Sequence, residues 1–256
     1  YFYYGENNFH IFFILLFLIL ILALICFFIW YKSSLIRKPL KLSKNTSFKV
    51  ILRNKKVKLF FISYFLSTFA ASIPATLIIF YVRDYLAVES LFGYFLVVYF
   101  SSGALSMPIW KILSSRFSCT YAWLLSMILA VSTFIWAYFL QPQDFIGFFI
   151  ICLFSGMAIG ANLALPSSIV AEYIHKNKHE EYAASYYSIS NFLSKFSLAV
   201  ASGTVLPILG FMGYHPGVLR TDYLFPVTYA VIPCIIQIIS IIFVLKLMSI
   251  KDINQS

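Results

Sequence analysis

Residues 190–200 read S-N-F-L-S-K-F-S-L-A-V, and they set one lysine, Lys195, inside a long apolar run. The neighbouring charged residues along the chain are Glu181 and Arg220. The run between them exceeds the roughly 20 apolar residues that a membrane-spanning helix needs. We therefore predict a transmembrane helix that carries an ammonium group near the middle of the bilayer.

The rest of the chain is equally apolar. Hydrophobic residues make up 61% of the 256 residues and charged residues 11%, whereas about 25% of the residues in a soluble domain are charged. This composition excludes an ordinary soluble fold and predicts an all-α membrane protein with seven transmembrane helices. The six other runs without Asp, Glu, Lys or Arg are 7–31, 59–82, 90–110, 117–143, 145–171 and 223–245.

The basic residues are distributed unevenly between the predicted loops. Ten of the 19 lie between Lys32 and Lys58. When successive loops are assigned to alternate sides of the membrane, 16 basic residues lie on one side and two on the other, and Lys195 lies within a helix. Because cytoplasmic loops carry the excess of Lys and Arg, we expect the N-terminus outside and the C-terminus in the cytoplasm, in a bacterial inner membrane. We interpret the net charge of +10 as this topology signal and not as a nucleic-acid-binding surface.

The basic stretch also suggests a division of the chain. One predicted helix precedes it and six follow, so we predict the last helix of an N-terminal bundle in residues 1–31, a basic cytoplasmic linker in 32–58 and a six-helix bundle in 59–256. The chain opens on Y-F-Y-Y-G-E-N-N and not on Met. We accordingly expect a fragment that lacks the remainder of an N-terminal half.

Lys195 belongs to a polar stripe. Ser188, Asn191, Lys195 and Ser202 fall within about 60° of one another at 100° per residue. A charge at mid-membrane costs several kcal/mol unless water or an opposite charge compensates it. The stripe therefore predicts a pathway or a binding face, and the alternative is a serine-rich packing face with one unusual lysine. Three further serines lie off the stripe, namely Ser190, Ser194 and Ser197.

A second polar group follows the fifth charge-free run. Glu172, His175 and His179 have a spacing that zinc ligands can use, but Lys176 and Lys178 lie between and beside the histidines. We expect a solvated cytoplasmic turn and no metal, in which Glu172 and His175 remain available to a gating or proton network.

Small residues and prolines suggest how the helices pack and bend. Gly156 and Gly160 in F-S-G-M-A-I-G-A have the small-xxx-small spacing that allows two helices to approach closely. Prolines remove a backbone hydrogen bond and can kink a helix, although both residue types are common in membrane helices. The prolines in or near apolar runs are Pro74, Pro108, Pro166, Pro207 and Pro233.

Four stretches in order carry a family resemblance. They are S-L-F-G-Y-F-L-V-V-Y-F-S-S-G-A-L-S-M-P-I-W-K-I-L-S-S-R-F (90–117), G-M-A-I-G-A-N-L-A-L-P-S-S-I-V-A-E (156–172), Y-Y-S-I-S-N-F-L-S-K-F-S-L-A (186–199) and G-F-M-G-Y-H-P (210–216). From about residue 40 onward the chain resembles the glycoside–pentoside–hexuronide:cation symporters, which are melibiose-carrier-like members of the major facilitator superfamily. The chain differs from the family's pattern at Asn162, at His175 and around Tyr182–Ala183–Ala184.

The resemblance implies twelve helices in two six-helix halves that rock around a central sugar site. Residues 9–31 would then be helix six, and 59–247 helices seven to twelve. Lys195 on helix eleven would face the sugar and the coupling cation, H⁺ or Na⁺, with no other cofactor. The resemblance implies substrate and cation binding by Lys195, Asn191, Ser194 and Ser188, and gating by Glu172 and His175.

Several functions remain open at this point. The cation-site carboxylates of the family lie in the N-terminal half, and no Asp or Glu lies inside these seven runs. The chain is thus expected either to complete a sugar–cation symporter together with an N-terminal half or to be an inactive or split-gene remnant. A retinal-binding receptor, with a Schiff base on Lys195, and a membrane enzyme are further alternatives. The receptor lacks an intramembrane counter-ion, and the enzyme lacks a nucleophile–base pair.

Overall fold

A computed structural model of the chain describes residues 3–33, 48–214, 217 and 224–250, and all regular elements within them are helical. Contacts divide the chain into two units, Tyr1–Leu42 and Ser43–Ser256. The first unit contains α1. The nine elements labelled α are α1 Tyr3–Ser33, α2 Phe48–Arg53, α3 Lys55–Phe80, α4 Phe92–Arg116, α5 Cys119–Ala137, α6 Phe145–Lys176, α7 Ala183–Phe211, α8 Leu224–Pro226 and α9 Ile232–Ser249.

Six helical segments of the second unit are long and apolar enough to cross a membrane, and α1 contains a shorter apolar stretch, Phe13–Ile29. The prediction of an all-α membrane protein is confirmed. The segments Lys55–Tyr85, Glu89–Arg116 and Phe145–Lys176 extend past their charge-free runs, because Lys and Arg at a helix end can reach water with their flexible side chains. The six segments are Lys55–Tyr85, Glu89–Arg116, Cys119–Ala137, Phe145–Lys176, Glu180–Phe211 and Val227–Ser249.

Polar side chains fix how the helices of the second unit adjoin one another. Ser240 of α9 donates to the carbonyl of Ser63 in α3 at 2.8 Å. The Trp123 indole of α5 donates to the Asn162 side chain of α6 at 2.8 Å. In an apolar environment such groups have few other partners. The bonds therefore specify the rotation of each helix about its own axis.

α4 and α6 pack through residues without bulk, as the spacing of Gly156 and Gly160 predicts. A Cβ added at Gly156 would overlap the carbonyl of Tyr99 and the hydroxyl of Ser102. A Cβ added at Gly160 would overlap the backbone of Gly103. The two backbones are close enough only because both positions are glycine.

The end of α3 is tied to the segment that follows α7. Asp84, 2% exposed, pairs with the Arg83 guanidinium at 2.7 Å and accepts hydrogen bonds from the Tyr214 hydroxyl and, at 3.3 Å, from the Gly217 amide. Burial raises the pKa of Tyr214, and the bond to Asp84 raises it further, so the hydroxyl keeps its proton and acts as donor. This buried carboxylate thus has several compensating partners.

Two segments depart from α-helical geometry. Tyr81–Tyr85, after α3, and Val227–Val231, before α9, are π-helical. Tyr81 and Tyr229 stack across them with their ring centroids 4.0 Å apart. Prolines lie nearby in both helices, since Pro74 is inside α3 and Pro233 is in the first turn of α9.

Candidate functional site

Lys195 lies at the centre of its span. It is 15 residues after Glu180 and 16 before Phe211, the two ends of the segment. At 1.5 Å per residue this puts it about 23 Å from either end. Its side chain is exposed on the second unit, and among the described residues no carboxylate pairs with it. The ammonium therefore depends on groups that this unit's described side chains do not supply.

The polar stripe around Lys195 forms one exposed face of α7. Ser188, Asn191 and Ser202 are exposed with Lys195, whereas Ser185 is buried. The predicted stripe thus lies on the side of α7 that does not pack on the rest of the unit. Its role in substrate or cation binding stays a prediction.

The buried side of α7 attaches to α3 near the same depth. Ser197, which is fully buried, shares a hydrogen bond of 2.9 Å with Thr68, and it lies 3.3 Å from the carbonyl of Phe65. Ser194 is half-buried and interacts with the hydroxyl of Tyr64. Ser194, predicted to bind substrate or cation, is thus engaged at the α3 boundary and lies beside the exposed stripe.

A row of aromatic rings borders the stripe, and the sequence analysis missed it. Phe65 stacks on Phe69 at 6.1 Å and on Phe196 at 6.0 Å, and Phe196 stacks on Phe192 at 5.6 Å between ring centroids. Phe192 and Phe196 are exposed. The i,i+4 spacing of Phe65 with Phe69 and of Phe192 with Phe196 was the available signal, but the chain contains 28 phenylalanines, and no single pair stands out.

Glu172 and His175 lie at the end of α6, and each is close to a charged side chain of the same region. Glu172 pairs with Lys176 at 2.7 Å, and His175 lies 3.7 Å from Glu180. The Nδ1 atom of His179 instead lies 3.0 Å from the hydroxyl oxygen of Tyr186, within hydrogen-bonding distance. Within the described ranges no group of three metal-ligating side chains is found. A gating role for Glu172 and His175 stays a prediction.

The site thus offers a mid-span cation, amide and hydroxyl groups and exposed aromatic rings along one face of a helix. This arrangement is typical of a membrane transporter, in which polar groups at membrane depth line a pathway.

The chain belongs to the family described as MFS/sugar transport protein, which matches residues 2–252. Comparison with curated proteins finds no match. The membership confirms the resemblance to major facilitator sugar carriers, points to a transporter and not an enzyme, and implies a sugar as substrate.

Proposed function

We propose that this chain supplies the C-terminal half of a carrier that couples the uptake of a sugar or glycoside to H⁺ or Na⁺ by alternating access. The observation that carries the proposal is the exposure of Lys195 at mid-span without a carboxylate partner among the described residues. An uncompensated ammonium at this depth is costly. A second bundle with intramembrane carboxylates would compensate it.

In this proposal the exposed face of α7 lines the pathway between two bundles. Asn191 and Ser188 offer hydrogen bonds to sugar hydroxyls, and Ser194 does so at the border with α3. Lys195 occupies the site next to the carboxylates of the second bundle, so that binding of the coupling cation and movement of the ammonium are linked. Such linkage requires the ligands to bind the two carrier conformations with different affinities.

The test is sugar uptake by proteoliposomes under an inward Na⁺ or H⁺ gradient, with a panel of radiolabelled mono- and disaccharides. One preparation holds this chain alone, and a second holds it joined to the first five helices of a related symporter, which complete the N-terminal bundle with residues 9–31. We expect uptake in the second only. Lys195→Met should reduce that uptake about 100-fold, as expected for loss of a binding charge worth about 3 kcal/mol.

Lys111→Met is the matched control, because Lys111 is an exposed lysine near the end of α4 and not on the α7 face. Uptake by the chain alone would refute the requirement for a second bundle. A completed carrier that folds but transports no sugar with either cation would favour the alternative, an inactive or split-gene remnant. That alternative draws support from the absence of Asp and Glu within the spans away from their ends.

The proposed orientation, with the N-terminus outside and in a bacterial inner membrane, rests on where the charges lie. Lys178 follows α6, and Gln141 precedes it on the opposite side of the span. Each is replaced by cysteine in a cysteine-free background, and intact cells are treated with a membrane-impermeant maleimide. We expect labelling of Gln141→Cys and none of Lys178→Cys until the cells are opened; the reverse pattern would invert the orientation.

A further inference from the structure

A cavity lies where α3, α5, α6 and α9 meet, and it is separate from the α7 face. Its space measures about 320 Å³ with the open mouth included. Ala70, Asn162 and Gln237 on its wall are each within two residues of the centre of their spans. The cavity is therefore at mid-membrane depth. Its lining residues are Ala70, Ala71, Pro74, Ala130, Val131, Phe134, Asn162, Pro233, Cys234 and Gln237.

Three polar groups of this wall have hydrogen-bonding capacity left over. Gln237, 5% exposed, donates its amide nitrogen to Ser67 at 3.2 Å, and its amide oxygen remains. Asn162 accepts from Trp123 with its oxygen, and its amide hydrogens remain. Pro74 has no amide hydrogen, so the carbonyl of Ala70 lacks its usual helical donor.

These groups decide what the cavity can hold. A purely apolar cavity stays dry, whereas a buried water needs two to four polar partners and space for itself. Carbonyl and amide groups at bilayer depth are costly when unsatisfied, and ordered water is one means by which a proline in a membrane helix is tolerated. No carboxylate lines the cavity among the described residues, which disfavours a cation.

We propose that this cavity binds a small cluster of ordered waters that bridges the Ala70 carbonyl, the Gln237 amide oxygen and the Asn162 amide group. The cluster replaces the hydrogen bond that Pro74 removes from α3. It also joins α3, α6 and α9 through neutral hydrogen bonds at a depth where few alternatives exist. The proposal does not depend on the identity of the sugar or on transport.

Cys234 reports on the cavity, and Cys152 is its matched control. Both side chains are 3% exposed, but Cys234 lies on the cavity wall and Cys152 packs in the core beside Phe148 and Ile151. Two variants of the full chain in lipid nanodiscs each keep one of these cysteines, with the other three replaced by serine. Methyl methanethiosulfonate modification is followed by mass spectrometry.

We expect Cys234 to react at least about tenfold faster than Cys152, because the thiolate that attacks this reagent forms only where water is present. Adding Ala130→Leu, which fills the cavity, should bring the two rates together. Equal rates without that substitution would overturn the proposal.

A second measurement uses the unmodified chain, so it does not depend on the folding of any variant. X-ray radiolysis produces hydroxyl radicals from waters where they are bound, and these oxidise adjacent side chains. We expect oxidation of Cys234 and little of Cys152. If the thiol reagent reaches Cys234 from lipid, labelling will occur without radiolytic oxidation, and that result also overturns the proposal.

Discussion

The segment containing α6 and the segment containing α7 are each 32 residues long and adjacent in the chain, but they are held in different ways. In the most apolar stretch of each segment, 50% of the residues are buried in the segment containing α6 and 22% in the segment containing α7. α6 packs closely on α4 through Gly156 and Gly160, and it adjoins α5 through Asn162.

α7 is instead attached at separate points. Tyr186 is buried at its beginning, Ser197 bonds to Thr68 at its middle, and Tyr214 bonds to Asp84 just beyond its end. Between these points its polar face remains exposed. The comparison indicates that α6 is part of the scaffold of the unit, while α7 leaves a face available to water, substrate or a second bundle.

The largest effect is expected from adding bulk to the scaffold. Gly156→Ala places a Cβ against the Tyr99 carbonyl and the Ser102 hydroxyl, and the backbones must separate. We expect the free energy of unfolding to fall by about 3 kcal/mol, measured by SDS titration in mixed micelles with circular dichroism.

Gly203→Ala in α7 is the matched control, because an added Cβ there meets nothing within 4 Å. It should leave stability unchanged or raise it by up to about 1 kcal/mol, since alanine favours the helix. Equal losses in the two variants would remove the distinction between a packed α6 and an open α7.

The next effect concerns the attachment beyond the end of α7. Asp84→Asn removes the charge that pairs with Arg83 and weakens the bond from Tyr214, which we expect to cost about 2 kcal/mol. Hydrogen exchange should show lost amide protection at 205–214 and unchanged protection at 156–165. Glu89→Gln, at an exposed carboxylate, is the control and should change neither region. Uniform loss of protection would mean that this attachment supports the whole unit.

The smallest effect is expected at the middle attachment. Ser197→Ala removes the bond to Thr68, and polar contacts between membrane helices contribute about 0.6 to 1.7 kcal/mol. Ser202→Ala is matched to it, because Ser202 is exposed and bonds only within its own helix in the described structure. The SDS titration should separate the two variants by about 1 kcal/mol. Identical midpoints would show that the Thr68 bond does not hold α7.

Sequence patterns predicted what depends on one helix alone. The helical spans followed from charge-free runs, and the close approach at Gly156 and Gly160 followed from their spacing. The exposed stripe around Lys195 followed from helical periodicity. Each of these features depends on the distance between residues along one chain segment, which the sequence gives directly.

Contacts between helices were not predictable in the same way. The sequence shows only that Asp84 falls between the charge-free runs 59–82 and 90–110, yet it is buried because Tyr214 and Gly217, about 130 residues later, contact it. The ring row from Phe69 to Phe192 and the cavity beside Gln237 likewise depend on how two or more helices are rotated against each other. Phenylalanine and small residues are too frequent in this chain to specify that rotation.

The stacked tyrosines Tyr81 and Tyr229 each lie in a segment wound with one extra residue per turn. The wider turn accommodates this extra residue, so removing one residue from such a segment would restore α-helical winding and leave the residues after it facing nearly the same way. A single-codon deletion at Val82 should therefore keep Asp84 close to Tyr214, whereas a deletion inside the regular part of α3 would rotate Asp84 away by about 100°. The π-helical segment thus allows the length between the core of α3 and its terminal carboxylate to change by one residue without loss of that contact.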